Sequence, residues 1–100
     1  MSTETWASIT QLMLEEKFEV VRDTLPDSIK LSVKHNEKKY SISFIEGLRL
    51  SFAVVECLDG DNIKVGCVRN FKELVTLMVD QGLVKSAYLE NPFFQTTVEK

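Results

Sequence analysis

Two hydrophobic periods run along the chain. Trp6, Ile9, Leu12 and Met13 recur at helical spacing, which predicts a first helix around residues 5–15. Phe18, Val20 and Val21 follow as a short β-prone run. Leu25-Pro26-Asp27-Ser28 is turn chemistry, because proline presets one dihedral and Asp and Ser bond the local backbone. From Ile29 the period is two. Ile29, Leu31 and Val33 alternate with Lys30, Ser32 and Lys34; after the polar turn His35-Asn36-Glu37-Lys38, Tyr40, Ile42 and Phe44 alternate with Lys39, Ser41 and Ser43. This predicts a hairpin with one apolar face and one polar, cationic face.

After Glu46-Gly47, residues 48–58 read as a strand apolar on both faces. Asp59-Gly60-Asp61-Asn62 is a hairpin turn, since Gly and Asn accept positive φ, and Ile63–Val68 returns. Pairing Leu58 with Ile63 sets Val54 opposite Cys67 and Cys57 opposite Lys64, so the cysteines are not cross-strand partners and no disulfide is expected. Asn70 caps a second helix, with Glu73 completing a capping box. Phe71, Leu74, Val75 and Met78 form its apolar stripe and Gly82 terminates it. The irregular but apolar tail Leu83–Phe94 is expected to pack. The order predicts one α+β domain over residues 1–100, its core about 6–92, with helices covering a central antiparallel sheet.

Composition narrows the function. The chain has 100 residues, of which 44% are hydrophobic and 27% charged, enough apolar content for a packed core. Twelve Lys and Arg against 15 Asp and Glu leave a formal charge of −3, which argues against a general nucleic-acid or membrane-surface binder. One histidine and two cysteines cannot build a multi-histidine or four-cysteine metal site. His35 sits in a turn as a solvated side chain rather than a general base, and both cysteines lie in apolar strands as small hydrophobes. Asp59 and Asp61 lack the further ligands of a calcium loop, since positions 63 and 70 are Ile and Asn. No enzyme, cofactor or metal is implied. Met1–Thr10 lacks the cationic start of a secretory signal, and the longest apolar stretch, Phe52–Val55, is far below the roughly 18 residues of a spanning helix. The working compartment expected is a reducing cytosol, the cell's own or a host's.

Arg22 is the most informative side chain. It ends the run Phe18–Val21, and alternation puts it with Val20 on one face and Val21 on the other. Arginine cannot shed its charge, so a partly buried Arg22 needs an anion, supplied either by a protein carboxylate or by a ligand. Thr24 shares its face. Lys30, Ser32, Lys34 and then Lys39, Ser41, Ser43 line the polar faces of the next two strands. With strands about 4.8 Å apart, a guanidinium fork, a hydroxyl and two ammonium groups can converge on a phosphate monoester. Residues 22–39 hold five cations and three acids, a local surplus in an acidic chain.

The order of these residues resembles the Src homology 2 family. Val20-Val21-Arg22-Asp23-Thr24, a turn with Pro26, Ile29-Lys30-Leu31-Ser32-Val33-Lys34-His35-Asn36 and Lys39-Tyr40-Ser41-Ile42 are similar to that family's arginine strand, phosphate loop and two following strands. Phe71-Lys72-Glu73-Leu74-Val75 is similar to the start of its second helix, Gly82-Leu83 and Leu89-Glu90-Asn91-Pro92 to its closing segment, and Trp6 and Ile9 to its opening. The resemblance implies a non-enzymatic, monomeric module for tyrosine-phosphorylated proteins or peptides, of a kind also found in bacterial effectors that meet host phosphoproteins. It implies that Arg22 grips the phosphate, Thr24 replaces the family's phosphate-binding serine, the amides of Leu25–Ser28 complete the cage, and Lys30, Lys39 and Ser41 line the pocket.

The chain also departs from that pattern. Gln11 stands near where many members carry a second phosphate-binding arginine, Ser41 replaces a common lysine and Glu19 occupies an aromatic position. The phosphate loop is about two residues short. The stretch Ile45–Arg69 is long, as if carrying an inserted hairpin over the ligand groove. These departures support an alternative, a phosphate-independent protein-interaction domain of the same fold.

Overall fold

The computed structural model describes residues 3–35, 37–47, 51–59 and 61–85. Helix α1 spans Thr3–Glu15. Five strands follow, β1 (Val20–Leu25), β2 (Ser28–His35), β3 (Lys38–Glu46), β4 (Ser51–Asp59) and β5 (Asp61–Val68), and helix α2 (Phe71–Asp80) closes the order. The protein is α+β, and its strands form one antiparallel meander in the order β1-β2-β3-β4-β5. Residues 48–50 of the expected fourth strand, the turn residues Asn36 and Gly60, and the closing segment 89–92 lie outside the described residues.

The period-two pattern decides which face is buried. Ile29, Leu31 and Val33 of β2, Tyr40, Ile42 and Phe44 of β3, and Ala53, Val55 and Cys57 of β4 are all buried. Both helices lie on this face. The Trp6 ring of α1 meets Phe44 edge-on, with centroids 6.4 Å apart, and reaches Phe71 at the start of α2 at 5.9 Å. Farther along α2, Leu77 Cδ2 lies 3.5 Å from where a Cβ would stand on Gly66 of β5, an ordinary contact distance, so α2 rests on this end of the sheet through Leu77. The opposite face of the sheet is uncovered by any described helix.

The helix caps carry the expected chemistry with one change of partner. The Glu73 amide donates to Asn70 Oδ1 at 2.8 Å, as an N-cap requires. Glu73 Oε1 accepts from the Arg69 amide at 3.5 Å rather than from Asn70 itself. At the other end Gly82 takes φ 77°. There the Leu83 amide donates to the Met78 carbonyl at 2.9 Å and the Gly82 amide to Val79 at 3.0 Å. This is the Schellman closure, and it drives Leu83 into the core at 1% exposure.

The β4–β5 register corrects the expected pairing. Val54 faces Cys67 as anticipated, but Leu58 pairs with Asn62 and Cys57 with Ile63, not with Ile63 and Lys64. An irregularity between Val55 and Glu56 absorbs the difference. Because strand faces alternate, the one-residue insertion pairs Ile63 with a core-side position instead of with outward Leu58. The two thiols are free and differ in setting: Cys57 is buried, but Cys67 is exposed on the uncovered face, not the small buried hydrophobe expected.

One core position works against stability. Thr10 is fully buried and its hydroxyl has no hydrogen-bond partner among the described residues. An unsatisfied buried hydroxyl costs about 1–3 kcal/mol, and valine has nearly the same shape. Thr10→Val should therefore raise unfolding stability by about 1 kcal/mol in urea titration. A loss of stability instead would reveal a partner for the hydroxyl.

Candidate functional site

Arg22 lies on β1, an edge strand, opposite Leu31 of β2. Facing residues of an antiparallel pair share a side of the sheet, so Arg22 points to the helix side, toward α1. Its side chain is 25% exposed. All three ends of the guanidinium group are occupied. Nε donates to Thr24 Oγ1 at 3.5 Å, Nη1 to Gln11 Oε1 at 3.4 Å, and Nη2 to both carboxylate oxygens of Glu4 at 2.6 Å. The helix repeat explains the set. Glu4, Ser8 and Gln11 stand on one stripe of α1, and that stripe lies along β1. Ser8 Oγ donates to Glu4 at 3.0 Å and Gln11 Nε2 to Glu15 at 2.8 Å, so the cluster is a continuous polar seam between helix and edge strand.

The anion that Arg22 needs is thus Glu4, a residue not singled out from sequence. The spacing 4, 8, 11 along α1 was the available signal. The Glu4 carboxyl is held below its ordinary titration range, chiefly by the hydrogen bond from Arg22 and then by that from Ser8. A depressed carboxylate contributes stability above its unfolded titration point and loses it as pH falls through the folded one. The stability difference between wild type and Glu4→Gln should therefore be full at pH 7, begin to shrink only as pH falls past the ordinary glutamate value of about 4.3, and disappear once pH is below the depressed folded value. Since the carboxylate is exposed, added salt should shrink it too. A difference undiminished at pH 2 would rule out the ion pair as its source.

The other expected ligand residues lie elsewhere. Thr24 accompanies Arg22 on the helix side. Lys30, Lys39 and Ser41 do not, because they alternate with buried Leu31, Tyr40 and Ile42 and so occupy the uncovered face. Lys30 pairs across strands with Asp23 and Ser43, Ser41 with Ser32, and Lys39 with Lys34. Ser28 shares that face at the end of β2. The expected convergence of Arg22 with these lysines on one face is therefore corrected: the sheet stands between them. The expected phosphate loop is a two-residue turn, Pro26-Asp27, between the paired residues Leu25 and Ser28. Pro26 has no amide hydrogen to offer an anion.

Two surface hollows of about 310 and 300 Å³ lie away from Arg22. One is lined by Val68 and the outer side of α2 and the other by Met13, Lys17 and Leu83. Among the described residues no group of three or more His, Cys, Asp or Glu is placed to hold a metal ion. No described helix is long and apolar enough to cross a membrane. Comparison of the chain with family models, with curated proteins and with solved structures finds no match.

Proposed function

We propose that the chain is a protein-interaction module whose binding does not depend on tyrosine phosphorylation. The observation that carries this reading is the engagement of Arg22 by Glu4. A dianionic phosphate needs convergent donors, and here the guanidinium faces three acceptors while the nearest lysines of the expected pocket lie across the sheet. A phosphate approaching Arg22 would meet the like charge of the Glu4 carboxylate already held there.

The phosphotyrosine reading keeps one supporting observation, the adjacency of Arg22 and Thr24 beside α1. It requires Glu4 to swing aside, which its 62% exposure allows. Titration with phenyl phosphate and a tyrosine-phosphorylated peptide pool separates the two. Wild type and Arg22→Ala should respond alike, and partner capture from extracts should be equal with phosphatase and with phosphatase inhibitors. Saturable phosphate binding that Arg22→Ala abolishes and Glu4→Gln strengthens would overturn the proposal in favour of phosphotyrosine recognition.

A further inference from the structure

The uncovered face of the sheet has a composition that solvent alone does not explain. An antiparallel sheet open to water on one side normally alternates inward apolar with outward polar residues. Here β2 keeps that rule, but β4 breaks it. Its outward positions include Phe52 and Val54, and Ile45 of β3 pairs directly with Phe52. Arg69 stacks over the Phe52 ring, 5.8 Å from its centroid. Half of the face is therefore an apolar strip edged by a cation.

The other half is cationic at a cost to the free protein. Lys34 and Lys39 stand directly opposite each other on β2 and β3, and like charges in that position destabilise a sheet. Neither has an ion-pair partner among the described residues. Among described strand positions the face holds three cations (Lys30, Lys34, Lys39) against two acids (Asp23, Glu56), although the chain as a whole is at −3, and Arg69 and Glu19 flank it just beyond the ends of β5 and β1. A nucleic acid, uniformly charged along its backbone, would leave the Phe52–Val54 strip unmatched.

We infer that this face is a docking surface for an acidic, partly apolar polypeptide segment of a partner protein, its carboxylates on Lys30, Lys34 and Lys39 and its apolar side chains on Phe52 and Val54. The inference rests on the protein-interaction reading and gives that reading its surface.

The two thiols supply a reporter in the unmodified full chain, since Cys67 is exposed beside Val54 and Cys57 is buried. The probes are a synthetic peptide of alternating Glu and Leu, its Lys-for-Glu counterpart and a single-stranded oligonucleotide. The Glu-Leu peptide should bind and slow alkylation of Cys67, while the Lys counterpart and the oligonucleotide leave it unchanged. Charge reversal at all three lysines (K30E, K34E, K39E) should weaken peptide binding by about tenfold or more, because each loses a complementary contact. Phe52→Ser should weaken it with the charges intact. These side chains point outward, and circular dichroism checks that the variants fold.

Equal binding of both peptides, indifference to the lysine reversals, or oligonucleotide binding at this face would overturn the inference. So would a free chain in which Cys67 is already protected. In that case protection at every concentration means that residues 86–100 fold back over the face, and protection that fades on dilution means a second copy. A phosphate-independent partner that leaves Cys67 reactive removes only this surface. Arg22-dependent phosphopeptide binding removes the underlying reading as well.

Discussion

Phe44→Ala should cost about 3–5 kcal/mol, the ordinary range for truncating a fully buried aromatic ring. Phe44 is fully buried in β3, the central strand of the sheet, between the neighbouring strands β2 and β4, with the Trp6 ring edge-on above it at 89°. Through Trp6 it also supports Phe71 and the start of α2. Losing the ring opens a cavity where both helices meet the sheet, and such a cavity relaxes little when three elements border it. Domains of this size are stable by only about 5–15 kcal/mol, so the variant should sit near its unfolding threshold at ambient temperature. At about 4–8 °C per kcal/mol, its melting temperature should fall by on the order of 15 °C or more in calorimetry. Phe44→Leu, which keeps most of the volume, should lose much less. A loss under about 1 kcal/mol for the alanine would mean that Trp6 and Phe44 do not form the joint between helix and sheet.

Gly82→Val should be the next most damaging simple change, for a reason unrelated to packing. Gly82 holds φ 77°, and nothing lies within 4 Å of where its Cβ would be. The side chain has room, so the cost is conformational: about 1–2 kcal/mol for an L-residue in the left-handed region, more for a β-branched one. Two amide bonds, from Gly82 and Leu83, close α2 through this residue, and the buried Leu83 depends on the turn they make. Gly82→Asn should be milder, because asparagine tolerates the same region. Urea titration of the three chains should order them wild type, Asn, Val. If Val and Asn fall together, the effect is not left-handed strain.

Much of this fold was legible because its signals are local. The 3.6-residue stripe of Phe71, Leu74, Val75 and Met78, the Asn70 cap and the Gly82 terminator all act within a few residues, and each appears in the structure where the chain places it. The same holds for the β2–β3 hairpin, where alternation alone separates buried Leu31 and Ile42 from Lys30 and Ser41. The unbroken apolar run of β4 was visible too, and its outward half now belongs to the uncovered face.

The candidate site was legible only in part. The chain alone determined that Arg22 and Thr24 share a face and that Arg22 needs an anion, since those follow from strand period and from a charge that cannot be lost. Tertiary structure decided which anion. The register Arg22–Leu31 turns the arginine toward α1, and the way α1 lies along β1 brings Glu4 to it across 18 positions of sequence. It likewise decided that Lys30, Lys39 and Ser41 lie on the opposite side of the sheet, and that an inserted residue in β5 resets the pairing of Cys57. The physical reason is common to all three. Side-chain period is a property of one segment, whereas which face of one strand matches which face of the next depends on register, and register is set by the burial of the whole sheet against its helices.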